Sequence, residues 1–136
     1  MNKDELEEML YAYPFCKAEN KNINLELERL EIKGINPIVY DFNPKTSNKT
    51  SIVEREVIDR EKIRKEMLDK RRKNEILIEK IDNSLEVLSD NEREIIKRIY
   101  FKRYKSKDIA QQLYLTYIYV SMLKKSALEK ILEIIK

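Results

Sequence analysis

The residues best placed to do chemistry lie between Ser106 and Ala127. Ile109, Ala110 and Leu113 share one face of a short predicted helix, and Leu115 falls in a turn. Val120, Leu123 and Ala127 then face back from a second helix. This is the spacing of a helix-turn-helix: a small residue lets the helices cross closely, and an apolar turn residue plugs the gap. Such a unit presents the outer, N-terminal residues of its second helix to the major groove of a duplex. Here those are Tyr117, Ile118, Tyr119, Ser121, Met122 and Lys125. Tyrosine and serine hydroxyls can meet base edges or the sugar-phosphate, and Lys124 and Lys125 can reach phosphates. Ser106, Lys107 and Thr116, at the starts of the two helices, complete the expected DNA-contacting set.

Other chemistries find little support. The chain of 136 residues has no histidine and one cysteine. That excludes the usual zinc sites, a Ser-His-Asp triad and a Cys-His dyad. There is no glycine-rich phosphate loop, and the carboxylates are interleaved with lysines on helix faces. The sequence therefore points away from an enzyme and calls for no cofactor. A lone Cys16 forms no internal disulfide, which fits a reducing cytoplasm. No run of uncharged apolar residues is long enough for a membrane span. The acidic start, Met1 to Glu5, does not read as a signal peptide.

Charge distribution agrees with a polyanion partner. The net charge is only +3, but residues 89–136 carry 11 basic and 6 acidic side chains. Residues 1–50 carry 7 and 9, and residues 51–88 carry 10 of each. The excess positive charge thus lies in the last third, where it attracts nucleic acid or an acidic surface.

The elements that must position these residues read as helices throughout. One glycine and three prolines leave too few turns for an all-β fold. Residues 3–12 predict a short helix with Leu6, Met9 and Leu10 on one face, ended or kinked by Pro14. A second helix is expected from about Phe15 to Lys33, with Ile23, Leu27 and Leu30 inward and Gly34 as its left-handed cap. Residues 34–50, rich in proline and asparagine, predict a mobile loop. Ser51, with Glu54 three residues on, suggests the start of a long helix reaching about Leu88. Its stripes are Val53, Val57, Ile63 and Met67, then Leu77, Ile81, Leu85 and Leu88. Between them the charged stretch Asp69 to Asn74, with the basic run Lys70 to Lys73, is expected to project into solvent as a charged face or a phosphate contact. Antiparallel pairing of the N-terminal helices with the long helix would bury both narrow stripes in a coiled-coil-like hairpin. Ser89 and Glu92 predict a capping box for the next helix, with Ile95, Ile96, Ile99 and Tyr100 on its apolar face. Thr116 and Ser106 are read as caps of the last two helices. Tyr114 stands in the turn where glycine is common, so strain or an altered geometry is expected there.

At these residues the sequence resembles region 4 of bacterial sigma-70-type factors. Leu88 to Ile96 is similar to the opening helix of that domain, and Lys107 to Leu113 to its first helix-turn-helix helix. Thr116 to Val120 and Lys124 to Leu128 are similar to its recognition helix and tail. Tyr117, Ile118, Tyr119 and Met122 stand where glutamate and arginine residues are often seen. Across most of the chain the sequence looks like the phage-encoded late transcriptional regulators of the ArpU/RinA type. Leu10 to Tyr13, Leu25 to Leu30 and Ser51 to Arg55 resemble their N-terminal segments. The resemblance implies DNA binding near promoters and regulation of phage or mobile-element genes in a bacterial cytoplasm. No segment resembles sigma region 2, so independent initiation of transcription is not implied.

The expectation is an all-α chain. Residues 1–87 form a helical hairpin and residues 88–136 a helix-turn-helix domain that binds double-stranded DNA. RNA polymerase is an additional partner under the resemblance, and a homodimer would supply the paired half-sites that single helix-turn-helix units commonly need. Two alternatives use the same features. One is a DNA-packaging protein like the phage small terminases, and the other is a helical interaction module acting on RNA polymerase.

Overall fold

The structure is a computed structural model that describes residues 1–35 and 47–135, with side chains described in 1–32 and 56–135. Among the described residues helices are the only regular structure. Helix α1 spans Lys3–Ile35, α2 Ser47–Glu86, α3 Asp90–Ile96, α4 Ser106–Gln112 and α5 Tyr117–Ile135. A π-helical turn, Lys97–Phe101, follows α3 without a break. Among the described residues no helix is long and apolar enough to cross a membrane. The chain divides into two compact units, one of residues 1–17 and 75–136, the other of residues 18–74.

The first unit holds the main core. Leu6 and Leu10 of α1 are fully buried with Ile81 of α2, Ile95 and Ile96 of α3, Ile109 of α4, and Val120 and Ile131 of α5. Pro14 does not end α1, contrary to the sequence expectation: the helix runs through it. Proline removes one hydrogen bond and crowds the preceding turn. Buried side chains stand on both sides of it, Leu10 and Tyr13 before and Cys16 after, and they hold the helix together. Tyr13 stacks on Phe101 at 4.3 Å and donates its hydroxyl hydrogen to Asp82. Tyr100 packs edge-on against Tyr11 at 4.9 Å and donates to Glu7. Burial pushes the Tyr100 hydroxyl pKa well up, and the Glu7 charge adds to that.

Helix ends in this unit are closed by named groups. Ser89 and Glu92 form the expected capping box, each side chain accepting from the other's backbone N–H. Arg93 donates to the carbonyl of Leu85, in the last turn of α2, which also accepts Leu88 N–H, and to that of Leu88 just beyond the helix. Lys130 reaches back from α5 to Glu92 at 2.8 Å. Burial raises the Glu92 pKa. The hydrogen bonds from Lys130 and Ser89 outweigh that effect and, with help from Ser126, hold it below the ordinary value. Its second oxygen is buried with no hydrogen bond of ordinary geometry.

Among the described residues two take the left-handed conformation and neither is the chain's one glycine: Arg103 at φ 58° and Tyr114 at φ 56°. Both end a helix. After the π-turn, Lys102 N–H bonds Lys97 O and Tyr104 N–H bonds Arg98 O. After α4, Leu115 N–H bonds Ala110 O at 2.9 Å and Tyr114 N–H bonds Gln111 O at 3.4 Å. The second pair is a Schellman cap, in which glycine is the usual left-handed residue.

The second unit is a helix pair joined by polar side chains. Arg71 donates to Asn24 at 2.8 Å, Asn74 donates to Glu19 and Asn20, and Lys70 pairs with Glu19 at 3.1 Å. The residues met along α1 rise from 19 to 24 as those along α2 fall from 74 to 71, so the helices run antiparallel as expected. The charged stretch does not simply project into solvent. Asp69, Lys70, Arg72 and Lys73 are exposed, but Arg71 and Asn74 are half-buried against α1. Ile23 is buried, Leu27 and Leu30 are half-buried, and Val57 and Ile63 stay exposed, so the first α2 stripe buries little.

Three predicted helix ends shift. Gly34 lies inside α1, α2 begins one turn before Ser51, and Lys105 rather than Ser106 occupies the N-cap of α4 with no side-chain cap. The loop expected near residues 34–50 falls outside the described residues between 36 and 46.

Candidate nucleic-acid interface

The geometry begins at the crossing of α4 and α5. Ile109, Ala110, Val120 and Ala127 are buried between them, and Leu113, Leu115 and Leu123 are half-buried around the contact. The small Ala110 side chain lets α5 pass close. Its carbonyl receives Leu115 N–H, so the crossing residue also anchors the turn. Thr116 caps α5 by accepting Tyr119 N–H at 3.1 Å, as the sequence predicts. That leaves its own hydroxyl hydrogen as a donor.

These constraints fix which way α5 faces. With Val120, Ala127 and Ile131 inward, 3.6-residue periodicity turns residues 118, 122, 125 and 129 outward in one stripe. Their exposure agrees: Ile118 is 72% and Met122 63% exposed, and Lys125 and Glu129 are exposed. Tyr117 and the half-buried Ser121 flank one side of the stripe, and Tyr119 the other. The structure thus brings Tyr117, Ile118, Tyr119, Ser121, Met122 and Lys125 onto one surface. Lys124 is not part of it. It is half-buried, with its ammonium 5.8 Å from the centre of the Tyr100 ring.

Ser106 and Lys107 stand apart from the stripe but beside its start. With Tyr117 they border an open groove of about 530 Å³. Arg103, Tyr104 and Lys105 extend this groove, and Tyr11 and Ile99 complete its lining. Three of the eight lining residues are cationic and none is acidic. The Arg103 guanidinium lies 5.0 Å from the Tyr11 ring, a cation–π distance.

Sequence reasoning passed over Arg103, Lys105 and Tyr11. The first two stand out only as a basic pair before α4, and nothing local ties Tyr11 to them. Tyr114, singled out in the sequence for its place in the turn, is 96% exposed. Glu129 has a readable signal, since it follows Lys125 at four-residue spacing.

Residues 84–132 match the family described as Sigma-70, region 4, a stretch from the end of α2 to near the end of α5. The chain therefore carries a helix-turn-helix domain similar to that region. No curated protein and no solved structure matches the chain.

Proposed function

We propose that this chain is a sequence-specific DNA-binding transcriptional regulator of the phage-encoded ArpU/RinA type. In this reading residues 88–136 carry the DNA-binding unit and residues 1–87 a helical hairpin. The observation that carries it is the outward stripe of α5, fixed by a close α4–α5 crossing within a segment similar to sigma-70 region 4.

The reading assigns roles by chemistry. Tyr117, Ile118, Tyr119, Ser121 and Met122 meet the major groove, and Lys125 takes a backbone phosphate. The cationic groove beside α4 accepts the sugar-phosphate, with Ser106, Lys107 and the Thr116 hydroxyl along its course. Lys124 contributes positive potential from behind the surface. The partner is double-stranded DNA, with RNA polymerase and a second copy of the chain as further partners. No reaction is assigned.

Selection of bound sites from a random duplex pool tests this, at about physiological salt where non-specific binding is weak. A converged motif is expected, with a two-fold repeat if the chain binds as a dimer. Lys125→Ala should then reduce the slope of log affinity against log salt by about 0.9, the share of one phosphate. No enrichment with folded protein would overturn the proposal. A ring-sized assembly would favour the packaging reading instead.

A further inference from the structure

The α5 surface has an unusual composition for a DNA reader. Between Tyr117 and Glu129 there is no arginine, asparagine or glutamine. With lysine, those are the side chains that make paired hydrogen bonds to guanine or adenine in the major groove, and the one lysine of the outward stripe, Lys125, is assigned above to a phosphate. The most outward positions are instead Ile118 and Met122, two large apolar side chains with most of their surface in water. Among the described residues nothing covers them. Their surroundings are cationic: Lys125 follows on the same stripe, and the groove with Arg103, Lys105 and Lys107 adjoins Tyr117. An apolar pair bordered by cations suits an anionic partner that also offers apolar groups. In a duplex those groups are the C5-methyls of thymine, the apolar feature of the major groove.

Resting on the DNA-binding reading above, we infer that Ile118 and Met122 read thymine methyl groups, so that the target is specified by thymine placement more than by base hydrogen bonding. The two side chains stand four residues apart, about 6 Å along the helix axis and roughly two base-pair steps of 3.4 Å. The target therefore carries two thymines at about that spacing, on either strand. Glu129, one turn beyond Lys125, marks where the duplex ends along α5, because its carboxylate would repel phosphates.

Uracil differs from thymine only by the missing methyl, which makes it the probe. A duplex recovered by site selection is resynthesised with deoxyuridine at each thymine in turn, and binding is measured at fixed salt. At the two contact positions the wild-type chain should bind the uracil duplex roughly fourfold more weakly per methyl lost. The Ile118→Ala/Met122→Ala variant should bind thymine and uracil duplexes equally. Both residues are exposed, so the variant folds, and an unchanged circular dichroism melt checks that. Lys125→Ala should weaken both duplexes and leave their ratio intact. Equal wild-type binding of the two duplexes at every position overturns the inference and leaves DNA recognition standing. A fourfold ratio that survives in the double variant overturns it as well. If the wild-type chain binds no duplex specifically, both the inference and the reading beneath it fail.

Discussion

Replacing Tyr114 with glycine should stabilise the protein, and the size of the gain can be worked out from the turn. Tyr114 holds φ at 56° as the left-handed residue of the α4 cap. A residue with a Cβ pays about 1–2 kcal/mol there, and glycine pays almost none. Glycine also loosens the unfolded chain, which returns about 0.4–1 kcal/mol. The Tyr114 side chain is 96% exposed, so truncating it removes no packing. The net expectation for Tyr114→Gly is a gain of roughly 0.5–1 kcal/mol. Tyr114→Ala keeps the Cβ and the strain, and should stay within about 0.5 kcal/mol of wild type. Urea unfolding followed by circular dichroism separates the two. With a slope of about 1–3 kcal/mol per molar, the glycine midpoint should rise by roughly 0.2–1 M while the slope is unchanged. A glycine variant no more stable than the alanine variant would refute the reasoning, because the left-handed geometry would then cost no more than the freedom glycine adds to the unfolded chain.

Further perturbations probe other supports. Glu92→Gln should lower stability at neutral pH and flatten the acid limb. The Glu92 pKa is depressed in the folded chain, so its contribution is complete above the ordinary value of 4.5 and is lost as pH falls through the folded value. The gap between wild type and variant should therefore close as pH falls below 4.5 and through the depressed folded value; a gap independent of pH would remove the charge from the account. Pro14→Ala restores a helical N–H in α1 and should raise stability by roughly 1–3 kcal/mol, read as a higher melting temperature. An unchanged melt would mean that α1 has fully accommodated the ring. Asn74→Ala removes donors to Glu19 and Asn20 and should cost about 1–2 kcal/mol. Hydrogen exchange in residues 18–32 would speed up with it, and unaltered exchange there would count against the polar seam.

What the sequence makes legible is what neighbouring residues decide together. The Ser89–Glu92 box and the Thr116 cap are local hydrogen bonds, so their spacing is enough to find them. The inward set at Ile109, Ala110, Val120 and Ala127 follows from helical period. The departures come from distant partners. Pro14 reads as a break because its cost is local, while the burial that outweighs it comes from α2 and the C-terminal helices. Arg71 and Asn74 read as solvated because Glu19, Asn20 and Asn24 lie some fifty positions away. Lys124 and Lys125 look equivalent in sequence. One helical step of about 100° separates a lysine over Tyr100 from one on the outward stripe. Tyr11 reaches the basic groove only through a core that unites the start of α1 with α3 to α5.

The π-turn at Lys97–Phe101 has a consequence for how the segment evolved and how it can be edited. A π-turn holds one residue more than the α-helical path it replaces. Removing a single residue from it would let α3 continue as an ordinary helix, and the residues beyond would keep nearly the facing they have now, because the turn absorbs the extra residue locally. Only the side chains within the turn, Ile99 and Tyr100 among them, would have to readjust. A sequence comparison that slides across residues 97–101 without a gap would assign the wrong side chains to the inward face. A one-residue deletion there should be less damaging than one in the middle of α5, where no π-turn absorbs it and every inward position beyond the cut would turn by about 100°.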